Sequence, residues 1–491
     1  MKHFISRRNF LKAAGVTAAA SAMAAAVPQA SAGFLTGKDA AVTILYTNDV
    51  HTYIDNKSPK LTYAAIAAMK QGYVDEGKPV LLVDAGDHIQ GTAYGSMDNG
   101  ATIIELMNEA GYDIATLGNH EFDYGMARAK AIIKEADFPY VSCNWVDLRT
   151  GLRVLPAVKL FPAGGKWIAF VGITTPESFT KSTPAYFMNA KQTKYIYDIL
   201  GGDDGRKLYD AVQKAIDKAK TLGADTIIGL GHLGVDPSSS PWTSEEVIAN
   251  TTGFDAFIDG HSHSTFSETI KDKSGKEVVF EQTGTKLANV GKIIIKADGT
   301  ITHENVDLNT VEPDAEAAAY IQTITDKFDA LQKQVVAKTS VELTINGADG
   351  KRAVRNAETN LGDLCADAYR ILLGADIAFV NGGGVRDNIK VGDITYGDII
   401  KVHPFGNEAC LVEVTGQQIK DALELGSAAY PGESGGFLQV SGLTYTINAD
   451  IPSSVVKNDK SEFVKVDGAY RVSDIMVGGQ PLDVNKTYTL A

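Results

Sequence analysis

The strongest constraint in this chain is where its Asp, His and Asn residues fall relative to apolar runs. Five runs that read as β-strands each end in a short polar loop. Val42 to Thr47 leads into Asp49-Val50-His51, and Val80 to Val83 leads through Asp84-Ala85-Gly86 to Asp87. Ile114 to Leu117 runs into Gly118-Asn119-His120-Glu121, Thr226 to Leu230 into Gly231-His232, and Phe254 to Ile258 into Gly260-His261-Ser262-His263. Open α/β sheets place their sites in the crevice beyond the carboxyl ends of the strands, where short loops converge. Carboxylate, amide and imidazole donors on such loops form the set that binds borderline-hard divalent cations. They are too many for one tetrahedral ion and suit two. The pattern points to a two-metal hydrolase acting on phosphate esters.

The chemistry follows from the spacing. Asp49 and His51, at i and i+2, can both turn toward one ion, and His263 can complete that site. Asp87 is central, because one carboxylate can bridge two cations about 3.5–4 Å apart. Asn119 offers a neutral carbonyl oxygen, and His232 and His261 offer imidazole nitrogens to the second ion. His120, beside Asn119, is left to donate to a leaving oxygen, and Asp123 three residues later can orient its ring. His88 and Glu121 read as supporting rather than ligating residues. Singly, each short motif is a common loop feature. All five in order, each after an apolar run, are not.

The chain is long enough, at 491 residues, for two or three cores. Its net charge of −14 argues against nucleic-acid polymers and anionic membranes as partners. A small anionic substrate held by local cations and arginines is compatible with that charge. Cys143, Cys365 and Cys410 are odd in number and lack CxxC spacing, so neither a disulfide framework nor a thiolate metal site is expected.

Residues 1–32 read as an address. Ser6-Arg7-Arg8-Asn9-Phe10-Leu11-Lys12 precedes an Ala-rich stretch, and Ala30-Ser31-Ala32 offers a small-residue cleavage site. The segment resembles a twin-arginine export signal, which implies the twin-arginine export machinery as a partner and a periplasmic or cell-surface location. No other stretch reaches the ~18 apolar residues of a membrane span.

Two αβ-rich blocks, 41–312 and 339–491, flank a polar run at 313–338. Helices are expected at Leu61 to Gln71, Thr102 to Ala110 and Lys207 to Thr221. Closing strands are expected at Val278 to Glu281 and Lys292 to Lys296. Pro313 opens a long helix expected from Asp314 to Ala337, since proline followed by acidic residues is a helix start signal. In the second block, helices are expected near Asn360 to Leu373 and Gly416 to Ala428.

The ordered motifs of the first block resemble the calcineurin-like metallophosphoesterase superfamily. Asn360-Leu361-Gly362-Asp363-Leu364, Asn381-Gly382-Gly383-Gly384-Val385-Arg386, Pro404-Phe405-Gly406-Asn407 and Gly436-Phe437-Leu438-Gln439-Val440-Ser441-Gly442 are similar to the 5′-nucleotidase C-terminal domain. The resemblance implies an α/β fold class: a four-layer αββα N-terminal domain, a linker helix and a smaller α/β nucleotide-binding domain. It implies one ion (Zn, Mn, Fe or Co) on Asp49, His51, Asp87 and His263. A second is implied on Asp87, Asn119, His232 and His261, with His120 and Asp123 as the catalytic pair. Asn119, Arg355, Asn381, Gly383, Arg386 and Phe405 match substrate-binding positions, Phe405 being one of two rings that sandwich a base. In the family the strand near Tyr488 leads into a Gly-rich loop with the second ring and a sugar-binding aspartate. That stretch is not in the sequence, which implies an incomplete C-terminal domain or a half-built base clamp. The expected activity is release of phosphate from nucleoside 5′-monophosphates, with UDP-sugars and 2′,3′-cyclic nucleotides as further substrates. The alternatives are a thiosulfohydrolase-type sulfur-compound hydrolase of the same superfamily and an exported binding protein without catalysis.

Overall fold

The computed structural model describes residues 40–491 apart from 58–59, 307–310, 406, 408 and 459–461. The export segment and Gly406 of the Pro-Phe-Gly-Asn motif therefore lie outside the described residues. The chain divides into two compact units. The first comprises the chain up to Ile89, Gly100–Ser178 and Ala185–Gln322; the second comprises Gln90–Asn99, Phe179–Pro184 and Thr323–Ala491.

The first unit is built on two sheets. One has the strand order Ile301–Asn305, Gly291–Ile295, Val42–Thr47, Val80–Asp84, Ile114–Ala115. The other runs Thr265–Lys271, Glu277–Thr283, Ala256–Ile258, Thr226–His232, Lys166–Thr174, Val158–Ala163. The strands that lead into the Asp, Asn and His loops are mutually parallel within each sheet. That direction sends all their carboxyl ends the same way within the sheet.

Side chains on a strand alternate between faces, and here the alternation sorts two cores. Ile168 and Phe170 join Ile44, Val83, Ile228, Leu230 and Ile258 in a cluster shared by both sheets. Ala169, Val171 and Ile173, the odd positions of the same strand, instead pack with Leu208, Val212, Ala215 and Ile216. Those four line one stripe of the helix Arg206–Thr221, at the spacing expected of an amphipathic helix. Truncating a fully buried member such as Ile216 to Ala costs about 2–5 kcal/mol. On the first sheet, the helix Tyr63–Asp75 packs on Val80–Asp84 and on Ala101–Ala110. Thr62 caps it by accepting from Ala65 N.

The long helix is shorter than expected. It runs Ala315–Gln332, and Val335–Thr339 forms a strand antiparallel to Gly392–Thr395. Val335 and Val336 are β-branched, so a partner strand outweighs the preceding helical run. The division between units falls within this helix, after Gln322.

In the second unit, Asn360–Leu373 packs against the antiparallel pair Ala378–Asn381 and Leu438–Ser441. Gly362 is needed there, because a Cβ would lie 2.1 Å from Gln439 Oε1. The helix Gly416–Gly426 starts with a capping box on Thr415 and Gln418. Its Ile419 and Leu423 enter a core with Val472, Ile475 and Tyr488. The last strand, Thr487–Leu490, pairs with Val412–Thr415. Among the described residues, no helix is long and apolar enough to cross a membrane.

Candidate metal centre

The loops that follow the parallel strands of the first unit bring seven of the sequence-derived residues together. Asp49, His51 and His263 form one group of close ligand atoms, His51, Asp87 and His120 a second, and Asp87, His232 and His261 a third. Within each group the donor atoms lie within 4.8 Å of one another. The shared members, Asp87 and His51, tie the groups into one centre. Asp87 Oδ2 is 3.0 Å from His232 Nε2 and 4.0 Å from both His51 Nε2 and His120 Nε2. His263 Nε2 is 2.9 Å from His51 Nε2 and 3.4 Å from Asp49 Oδ1.

The backbone is bent to make this convergence. Asp49, His51, Asp87, His261 and His263 all have φ between 48° and 80°, five of the eleven described non-glycine residues at positive φ. Each costs on the order of 1–3 kcal/mol relative to relaxed backbone, and such residues gather at functional sites. Gly118 is required by crowding: a Cβ there would stand 2.1 Å from Asp87 Oδ1 and 2.7 Å from His232 Nε2.

A shell of hydrogen bonds holds the loops. Glu121, fully buried, accepts from the amides of Asp87 at 2.8 Å, His88 at 2.9 Å and Gly118 at 2.6 Å. Asp84 accepts from Gly86 N and pairs with His88, whose other nitrogen meets Tyr140. Asn48 Nδ2 donates to Asp49 Oδ2 at 2.7 Å, and His261 N donates to the same oxygen at 2.9 Å. His232 Nδ1 lies 2.7 Å from Ala85 O. His120 Nδ1 lies 2.5 Å from Asp123 Oδ2, and its amide donates to Asp87 Oδ1.

Buried Asn119 Oδ1 makes no hydrogen bond, and buried His232 Nε2 faces the Asp87 carboxylate, 3.0 Å from Oδ2. A buried polar atom left without a partner costs about 1–3 kcal/mol. A cation would accept the Asn119 Oδ1 lone pair and, with His232 neutral, the Nε2 lone pair as well.

The charges point the same way. Burial pushes the Asp49 carboxyl up to about 8, with Asp87 adding to the rise against an opposing His232. Burial also works against charging His232 and His120, but carboxylates outweigh it, chiefly Asp87 for His232 (up to about 10) and Asp123 for His120 (up to about 9). Burial brings His263 down to about 4, and neighbouring imidazoles add to that. Carboxylates and imidazoles thus compete for a few shared protons in a small space. Positive charge is what the cluster needs, and the oxygen and nitrogen donor set without thiolate fits Zn, Mn, Fe or Co.

The remaining sequence-derived residues lie in the second unit. Arg386 Nη1 donates to Gly383 O at 3.2 Å, and its guanidinium carbon sits 5.6 Å from the centre of the Phe405 ring. Asn381 Nδ2 donates to Gly435 O at 3.2 Å, and Gly383 N donates to the same oxygen at 2.8 Å. Arg355 O accepts from Ser434 N. Burial lowers the Arg355 guanidinium to about 10, and the charges of Arg352 and Arg386 lower it further. Arg352, which no sequence motif marks, pairs with Glu433. Also missed was Glu177, whose Oε2 is 2.8 Å from His261 Nε2. Its signal was available, since Glu177 follows the strand Lys166–Thr174 as the other acidic residues follow theirs.

The calcineurin-like phosphoesterase family matches residues 42–265, and the 5′-nucleotidase C-terminal domain matches 335–491. The twin-arginine translocation pathway signal sequence matches residues 5–24. The chain is 30% identical to the Homo sapiens 5′-nucleotidase, over 85% of this chain and 78% of that protein. It is 30% identical to the Trifunctional nucleotide phosphoesterase protein YfkN of Bacillus subtilis over 82% of this chain, which spans only 29% of that relative's length. The crystal structure of a 5′-nucleotidase precursor from Thermus thermophilus is similar at a TM-score of 0.69 and 27% identity, covering 92% of this chain and 88% of that one. With the strand-end ligand loops of the first unit and the Arg–Phe loops of the second, these matches show that the chain belongs to the 5′-nucleotidase family.

Proposed function

We propose that this chain is an exported metal-dependent phosphoric ester hydrolase that releases phosphate from nucleoside 5′-monophosphates. The observation that carries the reading is the buried Asn119 Oδ1 without a hydrogen bond, in a centre where carboxylate and imidazole donor atoms crowd within 4.8 Å of one another in each candidate group. Asp49, His51, Asp87 and His263 would hold one divalent cation, and Asp87, Asn119, His232 and His261 a second. The chemistry such cations supply when bound is Lewis acidity toward phosphoryl oxygens and a lowered pKa for attacking water.

The chain's own residues do the rest. Asp123 holds His120 through Nδ1, which leaves Nε2 to deliver a proton to the leaving oxygen. The Asp123 and Asp87 carboxylates beside His120 outweigh its burial and raise its proton affinity. In the second unit, Arg355 and Arg386 present guanidinium groups suited to phosphate and ribose oxygens. Phe405 offers a flat face to a base, and Asn381 and Gly383 shape the loop beneath Arg386. Glycerol phosphate lacks a base, so this cluster favours a nucleotide over a simple ester. It likewise favours a nucleotide over the sulfur-compound substrate of the alternative reading. The twin-arginine signal supports export to the periplasm or cell surface.

The test is phosphate release by the purified chain from AMP, UDP-glucose and 2′,3′-cyclic AMP, with chelator and with Mn, Zn or Co restored. Metal-dependent release from AMP supports the reading, and the other two rank the substrate range. No release from any of them by a metal-loaded chain contradicts it and leaves sulfur compounds or simple binding.

A further inference from the structure

The loop after Lys166–Thr174 brings a sixth strand end to the centre, beside Thr226–His232, to which that strand is parallel. It carries a carboxylate that the reaction above does not use. Glu177 Oε2 lies 2.8 Å from His261 Nε2, and Ser239 Oγ donates to the same oxygen at 2.6 Å. The contact is sheltered: the side chains of His261 and Glu177 are 9% and 11% exposed, and Ser239 is buried. Among the described residues, Glu177 joins none of the three groups of clustered ligand atoms, whereas His261 joins Asp87 and His232.

An imidazole facing a carboxylate must offer it a protonated nitrogen, because the carboxylate only accepts. With Nε2–H given to Glu177, the lone pair of a neutral His261 is confined to Nδ1. His232 is set in the opposite sense. Its Nδ1 faces the carbonyl of Ala85, another pure acceptor, and its Nε2 is turned to the centre, 3.0 Å from Asp87 Oδ2. The two rings stand 5.2 Å apart at 63°. Two histidines of one ligand group thus use opposite nitrogens, each selected by an acceptor behind it.

We propose that Glu177 is a positioning residue that fixes the tautomer and ring orientation of His261, so that Nδ1 faces the second cation. Ser239 in turn holds the Glu177 oxygen in place. Such outer partners of metal-bound histidines typically account for 10- to 100-fold in metal affinity. The inference rests on the two-metal reading above.

The test is titration of the chelator-treated full chain with Mn²⁺, followed by electron paramagnetic resonance, for the native protein, Glu177→Ala and Glu177→Gln. The native chain should bind two ions and show the spectrum of an exchange-coupled pair. Glu177→Ala should bind the second ion about 10- to 100-fold more weakly and show an isolated-ion spectrum at intermediate Mn²⁺. Glu177→Gln keeps an acceptor oxygen and should stay close to native. Thermal unfolding in chelator checks that both variants fold, and Ser239→Ala gives a milder version if either does not. Native affinity in both Glu177 variants, or equal loss in both, would overturn the positioning role; equal loss would make Glu177 a charge or a direct ligand instead. Failure of the native chain to bind a second ion would contradict the two-metal reading itself.

Discussion

The centre of the first unit and the Arg–Phe cluster of the second differ in how firmly their residues are held. In the first, Asp49, Asp87, Asn119 and His232 are buried although His263 is exposed, five candidate ligand residues sit at positive φ, and loop amides converge on Glu121. In the second, Asn381 and Arg386 are exposed and Phe405 is half-buried on a short loop. A buried, strained constellation suits chemistry, where displacement of a donor by a fraction of an ångström matters. A partly exposed cluster of guanidinium groups and a ring suits recognition of a ligand. Damage to the first should therefore appear in kcat, and damage to the second in KM.

The largest effect is expected from Asp87→Ala, which removes the residue common to two of the three ligand groups. Turnover of AMP should fall on the order of 1,000-fold, with loss of bound metal measured by elemental analysis. His120→Asn should lower kcat by about 100- to 10,000-fold while metal content stays at the native level. Loss of metal in that variant would move His120 into the ligand set. Phe405→Ala should raise KM for AMP about tenfold, in line with roughly 1–3 kcal/mol for stacking a base, and leave kcat nearly unchanged. Glycerol phosphate, lacking a base, should show no change. A fall in kcat with unchanged KM would erase the proposed contrast.

Two smaller effects concern stability. Cations that bind only the folded state at about 100 times Kd add roughly 2.7 kcal/mol. Chelation should therefore lower the melting temperature of the first unit by several degrees, read by calorimetry. Glu433→Gln breaks a partly exposed pair with Arg352 and should change stability by less than about 1 kcal/mol. A larger loss there would show that the second unit's cluster is as rigidly built as the first.

The same contrast explains what could be read from the sequence. Asp49, Asp87, Asn119, His232 and His261 were legible because each is tied to the end of an apolar strand, and strand ends converge in a parallel sheet. Arg355, Arg386 and Phe405 have no such tie. They stood out only through resemblance of their loops to a known domain. Glu177 went unnoticed although it obeys the strand-end rule, since it lacks the Gly and His that flagged the other loops. The helix expected to Ala337 stopped at Gln332 because Val335–Thr339 found a strand partner some 55 residues later, a long-range pairing that local periodicity does not encode. Glu121 reads as supporting from sequence, but the Asp87, His88 and Ile89 amides that donate to it are brought to it only by the fold.

The most direct measurement is anomalous diffraction at the manganese edge from crystals of the full chain grown with Mn²⁺. Two peaks about 3.5–4 Å apart are predicted, both against Asp87. One should lie beside Asp49, His51 and His263, the other beside Asn119, His232 and His261. A single peak, or none at this centre in crystals of chain that hydrolyses AMP, would contradict the account.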